Sequence, residues 1–350
     1  PAGQAGPMES AIPGHLTVER TRHRRVPDDY APPYPAFVAR NRTGVRQVVM
    51  AYLGLQFRGA APGHALDELD SAFAAPDGPG HHDRASQTDP AGYTDIVSIA
   101  YWDDPGAFDR WFKTHRQGWL SDDRPADGTG RWIEVIRPMI EEFETLFNLP
   151  DRPEGVAVIA EAWSDEIQEH AYWGGMRDRI PLSQNDPMPG GGAPEVQRDG
   201  ARVRVHPKQG LCLIRSGQDW ADTVGDERSL YLDDVEPVLR AGMDFLRDEG
   251  RPIGCYANRY LRVLGSDGQP SDRSFGMSWW RSLDALERWS ESHPTHVAIF
   301  GAAMKYLMKM GPAAKLRLYH EVSVVGPDEQ YFEYLGCHDG TGLLGAGLRA

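Results

Sequence analysis

The alternation of apolar and polar residues predicts a long helix near the C-terminal end of the chain. From His296 to Met310, apolar residues recur at the three-or-four spacing that places side chains on one helical face. Ser292 is suited to cap this helix, and Pro294 is tolerated in the first turn because the N–H that it lacks has no partner there. His296 is therefore the first residue of an apolar helical face.

A strand with a second histidine follows about two dozen residues later. Its residues alternate, so that His320 points to the side that carries the aliphatic residues Leu318, Val322 and Val324. Each histidine taken alone is more typical of a hydrogen-bonded core residue than of a ligand. The two together, one on a helix and one on a strand, could bracket a flat apolar cofactor such as haem.

Part of this pattern occurs twice in the chain. The segment that begins at Tyr101 aligns without a gap on the segment that begins at Trp279, and each predicts the end of a strand followed by a helix. We therefore predict an α+β fold of tandem ferredoxin-like repeats, whose two sheets face each other and enclose a haem pocket. The matched residues are Trp102 with Trp280, Ala107 with Ala285, Arg110 with Arg288, Trp111 with Trp289 and His115 with His293.

The repeat divides the chain into five predicted parts. Residues 1–43 form an N-terminal arm, of which 1–7 precede the first methionine and lie outside the fold, and residues 44–147 form the first repeat, with strands at 48–57 and 140–147. Residues 148–207 connect it to the second repeat, residues 208–327, and residues 328–350 form a C-terminal tail. The arginines of the arm are expected to form a solvated face, and residues 76–93 are expected to form a loop.

Composition and charge exclude several classes of function. The chain has 350 residues and a net charge of −14, which argues against a nucleic-acid or anionic membrane partner. No apolar run approaches the roughly 20 residues that span a bilayer, and no signal peptide is recognised. The three cysteines lack metal-site spacing, which fits a reducing compartment, and no C-x-x-C-H motif is present to attach a haem covalently. We expect a soluble, cytoplasmic protein with a small neutral ligand.

Several separated blocks of sequence carry a family resemblance. With His296, His320, Arg179 and the run Leu213–Trp220, the chain resembles the haem-dependent aldoxime dehydratases, which dehydrate aldoximes to nitriles. The resemblance runs from about Met8 to the C-terminus. It is densest in Tyr172–Asp178, Ile214–Ala221, Arg228–Asp233, Gly242–Arg247, Ser290–His296 and Leu316–Val324.

The resemblance implies a role for five residues. It implies that His296 is the axial ligand of a haem b iron and that His320 is the distal acid–base group. Ser216 would hydrogen-bond the substrate hydroxyl. Arg179 would be the distal arginine, with Arg177 as the nearby alternative, and Glu144 would be the acid associated with the distal pair. In the repeat alignment Glu144 lies at about the strand position that His320 occupies in the second copy, so two facing sheets could bring both into one cavity.

The resemblance also implies the reaction and the assembly. The aldoxime nitrogen would bind ferrous haem iron while a histidine transfers protons, and the protein would be a homodimer. Two departures from the family pattern do not touch these five residues: the segment Met308–Pro312 is longer than expected, and glycine stands at Gly175 where a serine is usual. The first of them is expected to change the pocket entrance and hence the preferred substrate. Neither the preference for aryl or alkyl aldoximes nor E/Z selectivity follows from the sequence.

Two other functions fit the predicted architecture. A haem peroxidase or chlorite-decomposing enzyme shares the doubled ferredoxin-like fold but does not need His320 and Ser216 together. A haem-binding sensor without turnover would bind ligands but form no nitrile. The chain has no recognisable output domain, which counts against a sensor.

Overall fold

The computed structural model of the chain describes residues 8–60, 62–123, 128–171 and 175–347. Residues 1–7 and 348–350, and residues 172–174 at the start of one block of resemblance, lie outside the described part. The helices are α1 Gly63–Phe73, α2 Pro105–Trp119, α3 Gly175–Arg179, α4 Gly225–Leu230, α5 Glu236–Glu249, α6 Leu283–Ser292 and α7 Pro294–Met310. The strands are β1 Ala39–Arg40, β2 Val49–Phe57, β3 His81–Thr88, β4 Thr94–Trp102, β5 Gly130–Ile136, β6 Phe143–Phe147, β7 Ala162–Trp163, β8 Glu195–Asp199, β9 Arg202–His206, β10 Leu211–Asp219, β11 Cys255–Leu264, β12 Pro270–Trp280, β13 Arg317–Val325 and β14 Gln330–Leu335.

Within the described residues, twelve strands form one large sheet, in the order β6-β13-β10-β12-β11-β3-β4-β2-β5-β14-β9-β8. All of its strand pairs are antiparallel, which confirms the α+β class. The two halves meet where β3 pairs with β11. In the first half β2 lies between β4 and β5, and in the second half β10 lies between β12 and β13. The same pairing order therefore occurs twice.

The two faces of the sheet have different surroundings, because successive strand residues point to opposite sides. Leu211 and Leu213 of β10 pack with residues of the first half in a core between the halves. Cys212 and Ile214 pack instead with residues of α5 and α6. The sheet thus has an inner face, which meets the other half, and an outer face, which the helices cover.

The inner face also contains buried charge. The Arg215 side chain is completely buried, and its guanidinium donates to the Tyr101 hydroxyl at 2.7 Å and to Asp83 at 3.1 Å. Tyr101 in turn donates to Glu321 at 2.6 Å. Asp83 lies on β3, in a segment that the sequence predicted as a loop. Because this strand turns a carboxylate inward, it lacks the apolar alternation by which strands are recognised.

Two other segments also differ from the sequence prediction. The strand predicted at residues 140–147 is β6, and it pairs with β13 of the second half instead of completing the first half. The predicted tail contains β14, which lies between β5 and β9. These strands pair with partners that are remote in sequence, and local patterns do not encode such pairing.

The predicted C-terminal helix is confirmed as α7, which ends at Met310. Its cap is His293 rather than Ser292, which is the last residue of α6. The His293 ring accepts a hydrogen bond from the Thr295 backbone N–H, and Pro294 occupies the first helical position. The chain therefore changes direction between two consecutive helices, and His296 lies in the first turn of the second. No helix in the described part of the chain is long and apolar enough to cross a membrane.

Candidate functional site

Three of the five candidate residues are neighbours on adjoining strands. His320 on β13 lies directly opposite Ser216 on β10 and opposite Leu146 on β6. Glu144 is two residues from Leu146, so its side chain points to the same face as His320. The His320 Nε2 atom lies 2.8 Å from a carboxylate oxygen of Glu144. The strand registers therefore bring His320, Ser216 and Glu144 together.

The shared face is the outer, helix-covered face of the sheet. Val322 and Val324 have the same orientation as His320 on β13, and they pack with residues of α5 and α6. The repeat predicts instead a pocket enclosed between two facing sheets, with Glu144 reaching it from the opposite sheet. That expectation is wrong, because β6 pairs directly with β13 and the space between the halves is filled by core residues.

Arg179, the last residue of α3, completes the cluster. Its guanidinium donates to both oxygens of Glu144, at 2.6 and 3.3 Å, and to the backbone carbonyl of Glu169 at 2.7 Å. The side chains of Arg179 and Glu144 are only 2% and 1% exposed. Arg177, the alternative, points elsewhere and forms an ion pair with Glu287 at 2.7 Å. The structure thus brings Arg179, and not Arg177, next to His320.

One nitrogen of His320 faces two partners of opposite character. Nε2 lies 2.9 Å from a guanidinium nitrogen of Arg179 as well as 2.8 Å from Glu144. An unprotonated Nε2 accepts a hydrogen bond from Arg179, and a protonated Nε2 donates one to Glu144. The His320 ring therefore has a hydrogen-bond partner whether or not Nε2 is protonated. With 22% of its side chain exposed, His320 remains accessible to a ligand.

The charges of the cluster are fixed by its burial. Burial raises the pKa of Glu144, but the positive charge of Arg179, together with His320 and the hydrogen bonds from both, lowers it by more, so the pKa is below its ordinary value. Glu144 is therefore ionised at neutral pH. The nearby His170 has its pKa lowered to about 4 by burial and by the charges of Arg179 and His320, so it is neutral.

The N-terminal arm contacts the segments next to this cluster. The sequence does not predict this contact. Glu169 accepts hydrogen bonds from the Ala11 backbone N–H at 2.8 Å and from Arg24 at 3.1 Å. Asp178, next to Arg179, accepts from the backbone N–H groups of Arg25 and Val26, at 3.1 and 2.7 Å. Arg24 and the backbone of Arg25 thus hold the arm to the segments around α3, and the predicted solvated face is wrong for Arg24, whereas the Arg25 side chain is exposed.

A pH dependence of stability arises at Glu142, two residues from Glu144. Burial, with the negative charges of Glu329 and Glu141, raises the pKa of Glu142 from 4.5 to about 7. The folded state therefore binds this proton more tightly than the unfolded chain, and the resulting stabilisation is lost as pH rises through about 7. Glu142→Gln is expected to flatten the fall in melting temperature between pH 5 and 8, measured by calorimetry. Parallel curves of melting temperature against pH for wild type and Glu142→Gln would contradict the raised pKa of Glu142.

His296 has the surroundings of a neutral ligand imidazole. Trp289 lies edge-on to its ring, with centroids 4.5 Å apart, and burial lowers the pKa of His296 to about 4 despite a hydrogen bond with the Ser290 backbone. The ring is therefore neutral at pH 7, which is the form that binds a metal. A hydrogen bond from one ring nitrogen to the backbone fixes the tautomer and directs the other nitrogen outward.

The helix that carries His296 has an apolar surface that the protein covers only in part. Along α7, Tyr306 is the only buried residue in this described helix, and Val297 and Met308 are 47% and 70% exposed. The face of α7 toward the sheet bridges two separate apolar clusters. Ile299 packs in the cluster with α5 and α6, whereas Leu307 packs in a second cluster around Trp220 and Tyr231.

The distal residues lie between these two clusters. On β13, Leu318 belongs to the cluster around Trp220 and Val322 to the cluster with α5 and α6, and His320 lies between them on the same face. A flat apolar group bound beneath α7 would cover apolar helix surface on one side and meet His320 and Ser216 on the other. The residues present therefore fit the haem that the resemblance implies.

Comparison with protein families and curated proteins gives consistent results. The family model described as haem-containing dehydratase matches residues 51–343. Aliphatic aldoxime dehydratases of Pseudomonas chlororaphis and Rhodococcus globerulus are 47% identical over 347 residues, which is 96% of this chain and 98% of each relative. A phenylacetaldoxime dehydratase of Bacillus sp. strain OxB-1 is 33% identical over 333 residues, or 92% of this chain and 94% of that protein.

Solved structures give the same result. A crystal structure of an aldoxime dehydratase superposes with a TM-score of 0.92 at 46% identity, covering 98% of this chain and 100% of that one. An aldoxime dehydratase crystallised in complex with butyraldoxime superposes with a TM-score of 0.93 at 45% identity, and 97% of each chain is covered.

Proposed function

Because this chain belongs to the haem-containing dehydratases and is an enzyme that dehydrates aldoximes to nitriles, we propose that His320, Ser216, Arg179 and Glu144 carry out this reaction. His296 would hold the haem iron. One observation supports the proposal most strongly. The Nε2 atom of His320 lies between Arg179 and Glu144, beside Ser216, on the sheet face that α7 covers.

His296 and the apolar surface of α7 would hold the haem. When bound, the haem would supply a ferrous iron able to coordinate the oxime nitrogen and to assist cleavage of the N–O bond. The neutral imidazole of His296, with its pKa of about 4, needs no deprotonation to act as the ligand at neutral pH.

His320 transfers protons between two positions of the substrate. Conversion of R–CH=N–OH to R–C≡N releases water, so the oxime oxygen must gain a proton and the carbon must lose one. A histidine can donate the first proton and then accept the second, since imidazole serves both as acid and as base near pH 7. When Nε2–H donates to Glu144, Nδ1 is the ring nitrogen that exchanges protons with the substrate.

Glu144 and Arg179 position His320 rather than react. An ionised Glu144 accepts the hydrogen bond from Nε2–H and stabilises the positively charged ring, whereas the neighbouring positive charge of Arg179 favours the neutral ring. Because both partners are buried and bonded to each other, the ring keeps its orientation in each state.

Ser216 orients the oxime hydroxyl, and its replacement tests this role. Ser216→Ala is expected to lower kcat/KM for butyraldoxime by roughly 10- to 100-fold, the effect of one hydrogen bond made in the transition state, while haem content stays constant. Ser323→Ala is the matched control, because Ser323 is buried on the opposite face of β13 and its hydroxyl contacts Met50. Equal nitrile formation by the Ser216 variant and wild type would remove Ser216 from the mechanism.

The finer organisation of the protein is part of the same proposal. The repeated strand order supports two ferredoxin-like repeats at about residues 44–147 and 208–327, joined by residues 148–207. The arm 1–43 and the segment 328–350 add to this unit, the latter through β14. The family resemblance supports a homodimer that acts in the cytoplasm on a free aldoxime, without nucleic-acid or membrane partners.

A further inference from the structure

The registers of the two halves can be aligned residue by residue. Across β4 and β2, Trp102 pairs with Val49, and across β12 and β10, Trp280 pairs with Cys212. Trp102 and Trp280 are also matched in the gapless alignment of the sequence repeat. Val49 in the first half therefore corresponds to Cys212 in the second.

This alignment assigns first-half equivalents to the distal residues. Four residues beyond the aligned pair, Leu53 corresponds to Ser216. The partner of Leu53 on β5 is Ile133, and the partner of Ser216 on β13 is His320, so Ile133 corresponds to His320. The hydroxyl and the imidazole of the second half are both replaced by aliphatic side chains.

The helices extend the correspondence to the haem ligand. Trp111 and Trp289 are matched in the repeat, and His296 follows Trp289 at the same separation as Gly118 follows Trp111. The first half has no helix break at this point, since α2 continues to Trp119. Each of the three positions that carry chemistry in the second half is therefore occupied in the first half by a residue without an ionisable group.

These three equivalents line one cavity on the helix-covered face of the first half. The cavity has a volume of about 260 Å³, and its wall includes Leu53, Gly118 and Ile133 together with Leu69, Trp111 and Trp119. The first half has thus kept a pocket at the position of the active site but not its reactive groups.

The polar groups at the edge of this cavity are engaged within the protein. Arg116 donates to Glu333 at 2.6 Å, and the Thr114 hydroxyl donates to the Arg110 carbonyl at 3.0 Å. Glu68 and His115 also border the cavity, and the His115 ring packs against Trp111 with centroids 5.3 Å apart. The rest of the wall is mostly aliphatic and indole surface. A ligand would therefore gain free energy from apolar contact rather than from charge.

We propose that this cavity is a second small-molecule site, which binds a neutral, apolar monocyclic aromatic compound or a short alkyl chain. The volume supports this size, because an apolar cavity of about 150 Å³ is known to hold benzene. The first-half equivalents of His296, Ser216 and His320 carry no reactive group, so this site is expected to bind a ligand without dehydrating it. The inference does not depend on the catalytic roles proposed above.

The test is a titration of the haem-loaded protein with fluorobenzene, in which binding is monitored by fluorine NMR. The expected result is saturable binding at one site per chain with no shift of the Soret band, since the probe does not reach the haem. Ala72→Phe places a ring in the cavity wall and is expected to weaken binding at least about 10-fold. Ser71→Phe, on the exposed side of the same helix, is the matched control and is expected to bind as wild type does.

A second cavity variant is needed in case Ala72→Phe does not fold. Thr114→Phe fills the same cavity from the exposed side of α2 and is expected to have the same effect as Ala72→Phe. Absence of saturable binding to the wild type would overturn the proposal. So would unchanged affinity in both cavity variants, or a Soret shift that rises in parallel with occupancy, because the probe would then occupy another site.

Discussion

Replacement of His296 by alanine is expected to abolish haem retention and, with it, nitrile formation. With His296 as the proposed ligand, its removal would leave only the apolar contacts of α7 to hold the macrocycle. Loss of an axial ligand is expected to weaken haem binding by at least about 100-fold, since removal of groups that only orient a metal ligand already costs 10- to 100-fold. The measurement is the haem content per chain after gel filtration, from the Soret absorbance and the pyridine haemochrome.

A neighbouring histidine provides the control for this experiment. His293 caps α7 and stacks on Phe245, so His293→Ala is expected to lower stability by about 1 kcal/mol while haem remains bound. External imidazole is expected to restore part of the haem binding to His296→Gly, because it can occupy the space that the side chain leaves. A His296→Ala protein with wild-type haem content would show that another residue ligates the iron.

Replacement of His320 by alanine is expected to lower the rate of dehydration without loss of haem, unlike replacement of His296. Haem content and the Soret band stay unchanged, whereas kcat for aldoxime dehydration falls by roughly 10²- to 10⁴-fold, the range for loss of a general acid–base group. The reason is that Glu144 and Arg179 still pair with each other but no longer hold a group that exchanges protons. The measurement is steady-state nitrile formation with equal concentrations of reduced, haem-loaded protein.

The control for His320 is a histidine outside the site. His338 pairs with Asp89 and stacks on Tyr93, and His338→Ala is expected to retain the wild-type kcat. A His320→Ala variant that keeps more than about a third of the wild-type kcat would show that another group moves the protons. A variant that loses haem as well would point to a structural role for His320.

The local parts of this site could be predicted from the sequence. The helical face that starts at His296 and the strand parity of His320 both follow from side-chain periodicity, and α7 and β13 have the expected bounds to within a few residues. The roles of Ser216 and Arg179 came from the family resemblance. The structure brings both residues to His320, but by itself it does not assign a role to either.

The orientation of the site could not be predicted, because it depends on pairing between distant strands. Glu144 and His320 are 176 residues apart in sequence, and they are neighbours because β6 pairs with β13. The repeat suggested instead that Glu144 occupies the equivalent of the His320 strand in the other sheet. The register shows that β5 has that position, with Ile133 as the equivalent of His320.

Buried charge explains two other errors. The strand β3 turns Asp83 toward Arg215, so the segment appears polar in sequence although it is part of the sheet. The arm arginine Arg24 pairs with the buried Glu169, which belongs to a distant segment. A charged side chain in a sequence does not reveal whether its partner is solvent or another part of the chain.

The most direct test of the catalytic site is a single-turnover reaction under anaerobic conditions. Wild type and His320→Ala, loaded with equal haem and reduced with dithionite, are mixed with butyraldoxime, and butyronitrile is measured by gas chromatography. We expect nitrile from the reduced wild type, none from the oxidised protein, and at least about 100-fold slower formation by the variant, although butyraldoxime still perturbs its Soret band. Nitrile formation at the wild-type rate by His320→Ala would contradict the assignment of proton transfer to this cluster.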